Sequence, residues 1–361
     1  MSSRSASQRR AGRPVVAVTG AATGIGWDLA AQLVAGDAAR KVVAIDERRG
    51  DIPGAVWKIA DIRDPILVRA FAGVDVVAHL AVDMSLETQP RARAARNIHQ
   101  AQTVLTAAAA AGVRQVVLYT SAMVYGAAPD NTVPLSEDAP LRAVPETSVV
   151  GDLLEIEQLA RQARTTYPGL SVTVVRPAAL VGPGVDSVLT RHFEAPRLLV
   201  VRDSRPHWQF CHVEDLVRAL EYVVLGKLEG ATAVTVGCDG WLEQAEVERL
   251  SGMRRIELPV GLAFGAAERL HRLGLTPAPA SDLAYVAYPW VIPATRLRAA
   301  GWAPLYSNQE ILVKLLEQTR GHHAALSRRL GRKDATLGAT VALIGTAALV
   351  RRARRKRRHQ S

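Results

Sequence analysis

Gly20, Gly24 and Gly26 fall within the run Thr19-Gly20-Ala21-Ala22-Thr23-Gly24-Ile25-Gly26, directly after the apolar residues Val15-Val16-Ala17-Val18. Glycines at a strand-to-helix turn let the backbone come close to a pyrophosphate. They also aim the helix-start N–H groups and the positive end of the helix dipole at it. Three glycines alone would equally suit an ordinary tight turn. The second chemical signal is Asp46, which ends the run Lys41-Val42-Val43-Ala44-Ile45 and stands 20 residues after Gly26. A carboxylate there can accept hydrogen bonds from the adenosine ribose hydroxyls of a dinucleotide. It would repel a 2′-phosphate, which favours NAD over NADP, although Arg48 and Arg49 follow and oppose that preference. The plainer alternative is a turn residue closing a strand.

The elements that must hold these groups repeat along the chain. Residues 15–19 and 41–46 read as buried strands, with a helix over 27–35 closed by Gly36. A strand over 56–60, a helix over about 64–72, a strand from 74, a long Ala-rich helix over 92–111 and a strand over 116–120 follow. Strands alternating with helices at this spacing predict an α/β fold: a doubly wound parallel sheet with helices on both faces. Ligands of such sheets bind beyond the carboxyl ends of the strands. From Thr173 onward prolines break the pattern, and helices are expected over 242–250, 262–273 and 308–320.

Composition restricts the function classes. The chain has 361 residues, 48% of them hydrophobic, enough for one large α/β domain or for a dinucleotide domain with a smaller lobe. Cys211 and Cys238 are the only cysteines, so no disulfide framework is implied and a cytoplasmic location is expected. The net charge of +11 is concentrated at the ends: residues 1–13 carry +4 and residues 327–361 carry +10, which leaves the body slightly acidic. Nucleic acid is therefore not an expected partner of the body. No metal-ligand clustering is present.

The C-terminal end is a separate problem. Residues 336–350 are uncharged and apolar between basic flanks. A helix of that length, at ~1.5 Å per residue, is too short for a ~30 Å hydrocarbon core. Residues 328–361 therefore suggest peripheral attachment to an anionic membrane surface, on the inner face of the plasma membrane. A solvent-exposed helix with a disordered basic tail is the alternative.

Together the motifs resemble the extended branch of the short-chain dehydrogenase/reductase superfamily, the NAD-dependent epimerases/dehydratases. The matching pieces are the glycine run, Asp61-Ile62, His79-Leu80-Ala81, Asn97 and Thr120-Ser121-Ala122-Met123-Val124-Tyr125-Gly126. Further on come Val174-Val175-Arg176-Pro177 and Phe210-Cys211-His212-Val213-Glu214-Asp215. The resemblance runs over roughly residues 14–320. It implies NAD as cofactor, held by Gly20, Thr23, Gly24, Ile25, Gly26, Asp46, Asp61, Ile62, Leu80, Ala81, Thr120 and Pro177. It also implies that Ser121 hydrogen-bonds the reacting hydroxyl or carbonyl.

Two departures qualify that implication. The family's Tyr, and the Lys four residues later that lowers its pKa, are missing: alignment on Glu157 puts Val149 and Leu153 at those positions. No Tyr occurs between Tyr125 and Tyr167, and no Lys between Lys58 and Lys227, so no shift of register restores the pair. Losing a general acid/base lowers rates by roughly 10²–10⁴. Candidate substitutes are Asp152, Glu155, His79, His192, His207 and His212. The other departure is Trp208, which stands where nucleotide-sugar members carry a diphosphate-gripping Arg; Arg202 or Arg205 could compensate. A flatter or more apolar substrate would suit Trp208 better.

The organisation expected is a disordered basic tail over 1–13, an NAD-binding Rossmann domain over 14–180 to which part of 205–240 returns, a mostly helical substrate lobe with closing helices over 181–326, and a basic tail with a short apolar helix over 327–361. The expected function is that of an epimerase/dehydratase-like oxidoreductase acting on a sugar- or sterol-like hydroxyl or carbonyl compound, with an atypical active site. The alternative is a non-catalytic dinucleotide sensor or scaffold. The substrate is not identified, and a homodimer is left open.

Overall fold

The computed structural model describes residues 12–327, with side chains to residue 319. Residues 1–11 and 328–361, including the apolar segment over 336–350, lie outside the described residues, whereas Arg13, expected in a disordered tail, is described and pairs with Asp37 at 2.6 Å. In chain order the elements are β1 (Val15–Thr19), α1 (Gly24–Ala35), β2 (Lys41–Asp46), β3 (Val56–Ile59), α2 (Leu67–Ala70), β4 (Val76–His79), α3 (Pro90–Ala110), β5 (Gln115–Tyr119), α4 (Val149–Thr166), β6 (Ser171–Pro177) and β7 (Ala179–Val181). Then come α5 (Val188–Glu194), β8 (Leu198–Val201), β9 (His207–Trp208), β10 (Phe210–His212), α6 (Val213–Val224), β11 (Ala233–Val236), β12 (Leu242–Glu243), α7 (Gln244–Ser251), β13 (Arg255–Leu258), α8 (Val260–Arg272), α9 (Thr295–Ala299) and α10 (Asn308–Ser327).

Seven strands form the main sheet in the order β11-β6-β5-β4-β1-β2-β3, and every pairing is parallel. This is the α/β, doubly wound arrangement that the alternating pattern predicts. Parallel strands need crossovers, and the crossovers here cover both faces. Val16 and Val18 of β1 pack with Leu29 and Leu33 of α1 and Leu216 and Leu220 of α6. Val15 and Ala17 face the other way, onto Val104 of α3 and Ile156 and Ala160 of α4. Burial on both faces explains why these strands read as unbroken apolar runs.

The sheet order reverses between β1 and β4: the chain runs outward through β2 and β3, then returns to start the other half. This switch point opens a crevice beyond the strand ends, between the turn after β1 and the turn after β4. At the ends of β1 and β4, buried Thr19 Oγ1 and His79 Nδ1 lie 2.8 Å apart.

The second lobe combines helices with three two-stranded ladders, β7–β10, β9–β12 and β8–β13. A 3-10 helix, Ala280–Val286, crosses from this lobe toward the crevice. Among the described residues no helix is long and apolar enough to cross a membrane.

Candidate active site

The turn after β1 is shaped by close approach. Gly20 takes φ +74°, and a Cβ on it would stand 2.8 Å from the Ala81 nitrogen in the turn after β4. A Cβ on Gly26 would stand 2.1 Å from the Gly20 carbonyl oxygen. Glycine is thus what lets α1 begin right at the turn. The helix-start residue Thr23 makes no side-chain capping bond, and the first turn of α1 holds no acid. The N-terminal N–H groups are therefore left to an external anion.

At the tip of β2, Asp46 Oδ2 accepts the Ala22 N–H at 3.1 Å and Oδ1 accepts the Arg48 N–H at 3.3 Å. The carboxylate thus braces the turn and still borders the crevice. Together they form a cradle with a carboxylate at one end, which fits the pyrophosphate and adenosine ribose of a dinucleotide.

A cavity of about 630 Å³ runs from this cradle into the second lobe. Its wall takes in Gly20, Thr23, Gly24, Ile25 and Gly26 from the turn, together with Asp46, Ile62, Leu80, Ala81, Ser121 and Pro177. Asp61 and Thr120 do not reach it. Arg63 grips the Asp61 carboxylate at 2.9 and 2.7 Å, and these bonds hold it below its ordinary pKa. Thr120 is buried and donates to Glu157 Oε1 at 3.0 Å.

Ser121 Oγ accepts the Met123 N–H at 3.2 Å and so caps the 3-10 turn Ala122–Tyr125. Ser121 also lines the cavity. Beneath it lies a buried polar network. Arg176 Nε and Nη2 each donate to a Glu157 oxygen at 2.8 Å, and Nη1 donates to the Tyr125 hydroxyl at 2.7 Å. That hydroxyl donates in turn to the Glu137 carbonyl at 2.7 Å. Tyr125 is therefore committed to the floor of the site and does not line the cavity.

The candidate substitutes for the missing pair do not line the cavity either. Asp152 is buried and receives Arg93 Nε at 2.7 Å. Glu155 is exposed on α4. His79 and His192 are buried, and burial pushes each down to about 4, so both are neutral. His207 lies 3.3 Å from Glu243, and His212 accepts the Glu214 N–H to cap α6.

Trp208 also turns away from the cavity. It stacks on His192, meets Phe193 edge-on and donates to Gln244 at 2.9 Å. Arg202 pairs with Glu257 and Arg205 is exposed. Among the described residues lining the cavity, Arg96 is the one basic side chain, and it lies 3.9 Å from Asp83. Val149 is on the wall at the start of α4, whereas Leu153 is fully buried in the core behind it.

One wall residue carries no sequence signal. Asp282, on the 3-10 helix Ala280–Val286, is 3% exposed and borders the same cavity as Ser121 and Val149. Burial first, and then the charge of Glu146, push its carboxyl up to about 7 against the opposing pull of Arg93.

The family model for the NAD dependent epimerase/dehydratase family matches residues 16–237. An uncharacterized protein of Mycobacterium tuberculosis strain H37Rv is 29% identical over 310 residues, which are 82% of this chain and 81% of that one. Among solved structures, the chain is similar to MoeE5 in complex with UDP-glucuronic acid and NAD, with TM-score 0.63 and 25% identity over 86% of this chain and 99% of that one. It is also similar to DesIV, a dTDP-glucose 4,6-dehydratase from Streptomyces venezuelae with NAD and TYD bound, with TM-score 0.63 and 20% identity over 86% of this chain and 98% of that one.

Proposed function

Because the chain belongs to the NAD dependent epimerase/dehydratase family, we propose that it is an NAD-binding oxidoreductase that acts on a hydroxyl or carbonyl group through an atypical active site. The observation that carries this reading is a single cavity joining the glycine cradle, Asp46 and Ser121. Bound NAD would supply a hydride acceptor or donor. Gly20, Gly24 and Gly26 would admit the pyrophosphate to the N–H groups of α1, and Asp46 would hold the ribose hydroxyls and disfavour a 2′-phosphate. Ser121 would hold the reacting oxygen.

The substrate end of the cavity favours a neutral, largely apolar molecule. Val82, Met84, Leu86, Val185, Val188 and Leu189 line it. A diphosphate would meet acidic Asp83 there, while Asp186 is already paired with Arg191, and Arg96 is the one basic side chain among the described residues lining the cavity. MoeE5 binds UDP-glucuronic acid, but the wall of this cavity favours a sterol-like or other uncharged carbonyl compound over a nucleotide sugar. The absence of the Tyr and Lys supports a second reading, a dinucleotide sensor working in the cytoplasm without turnover.

Calorimetry with NAD and NADP, followed by NADH oxidation assays on neutral sugars, sterol ketones and acyl carbonyls, tests both. Binding of NAD with turnover that falls at least tenfold in Ser121→Ala supports the enzyme. Tight binding with no turnover on any class supports the sensor, and failure to bind either dinucleotide overturns both.

A further inference from the structure

The start of α4 is where the cavity lacks a proton-carrying group, and the chain brings a different segment to that place. Ser148 Oγ accepts the Gly151 N–H at 3.0 Å and starts the helix. A Cβ at Gly151 would stand 1.8 Å from the Glu146 carbonyl oxygen, so glycine lets the loop before α4 settle onto the helix. Glu146 in turn accepts a hydrogen bond from Ser281. On the same 3-10 helix, Tyr285 donates to the Met123 carbonyl at 2.7 Å, two residues past Ser121. Two anchors thus dock this segment against both the Ser121 turn and the start of α4, with Asp282 between them.

Asp282 is 3% exposed, and burial and charge alone act on its carboxyl, with no hydrogen bond from a described residue. The charged groups acting on it are Glu146, from the loop before α4, and Arg93, from α3. Tyr285 shares its turn; α5 and α8 also pack on that turn, and no charged side chain of either acts on the carboxyl. Arg93 is fixed by its bond to Asp152, while its Nη2 is buried without a partner among the described residues. It brings a positive charge to the site from α3, where Leu153 on α4 brings none.

We propose that Asp282 is the acid/base of this active site, exchanging a proton with the substrate oxygen that Ser121 holds. The proposal rests on the NAD-dependent reading above. In the oxidising direction the Asp282 carboxylate takes the hydroxyl proton and becomes a neutral acid. Bound NAD⁺ would accept the hydrogen of the substrate C–H as a hydride, leaving the C–O bond as a carbonyl. In the reducing direction the neutral acid returns its proton to the carbonyl oxygen as hydride arrives at carbon. One proton and one hydride are accounted for in each direction. The carboxyl's rise to about 7 suits both roles near neutral pH.

The test needs no substrate. Oxidised nicotinamide is positively charged and the reduced ring is not, and a positive charge within roughly 4–6 Å lowers a carboxyl's pKa by about 1–3. NAD⁺ binding at pH 7 should therefore release about half a proton from a carboxyl poised at about 7. Calorimetry in buffers of differing ionisation enthalpy measures that release. The expected result is release with NAD⁺ and none with NADH in the wild type, none with either in Asp282→Asn, and restored release in Asp282→Glu. Equal release in wild type and Asp282→Asn would overturn the proposal while leaving the cofactor reading intact. Failure of wild type to bind either form would bring down the cofactor reading, and this proposal with it. Should both variants fail to fold, infrared difference spectra of the wild type decide. Loss of a protonated-carboxyl band with NAD⁺ but not with NADH supports the assignment, and an unchanged band overturns it.

Discussion

Replacing Asp282 with asparagine should stabilise the protein, and increasingly so as pH rises. The carboxyl's pKa rises from 3.8 to about 7 on folding. At ~1.36 kcal/mol per pH unit, this corresponds to at most about 4 kcal/mol held against folding once the group is ionised. Between those two values the native state holds a proton that the unfolded chain has lost, so stability falls with rising pH and the whole penalty stands above about pH 7. Asparagine has the shape of the neutral acid and never ionises. The variant should therefore exceed wild type by about 2 kcal/mol at pH 5 and by about 4 kcal/mol at pH 8, both upper figures because the amide needs partners of its own. Urea unfolding of both proteins across that range gives the gap directly. A gap that stays constant from pH 5 to pH 8 would show that Asp282 is not the strained carboxyl described here. A variant that is both steadier and inactive would fit a site that sacrifices stability for chemistry.

Other expectations concern the cradle, the floor and the tail. Gly26→Ala places a Cβ 2.1 Å from the Gly20 oxygen; NADH fluorescence titration should show at least a tenfold loss of affinity. Asp46→Asn removes the charge that repels a 2′-phosphate, and the NAD-to-NADP affinity ratio by calorimetry should fall about tenfold, ~1.4 kcal/mol. Glu157→Ala strands buried Arg176, which Glu157 holds at 2.8 Å through two bonds; chemical unfolding should show a loss of about 3–5 kcal/mol. For the tail we propose that residues 328–361 bind anionic membrane; co-sedimentation with phosphatidylserine vesicles should disappear when they are removed, and persistence would end that idea.

The nucleotide end of the molecule was legible because its signals are local. The strands at residues 15–19 and 41–46 are apolar runs whose ends are marked by Gly20 and by Asp46, and the structure has β1 and β2 at those limits. The first helix begins at Gly24, earlier than the expected residue 27, because the turn's glycines conceal a helical turn that only close packing explains. The helix expected over about 64–72 shortens to Leu67–Ala70 behind Pro65. Trp208 looked like a substrate contact on the strength of its neighbours in sequence, yet it packs inside the lobe with Phe193. Asp282 gave no signal at all. It lies in a proline-broken stretch without periodicity, and the hydrogen bond that docks its segment joins residues 135 positions apart. Motifs report what neighbouring residues do together, whereas this carboxyl acquires its setting only when distant loops meet.

One edge strand of the large sheet, β11, is laid down after the chain has already visited the second lobe through β7 to β10. The lobe is therefore threaded into the nucleotide domain, not hung from its end. A fragment stopped near residue 180 would lack both β11 and the α6 cover over Val16 and Val18, leaving β6 as a bare edge and one sheet face greasy. Anyone seeking to graft a new lobe onto this scaffold must splice at both crossings, and cannot simply append one.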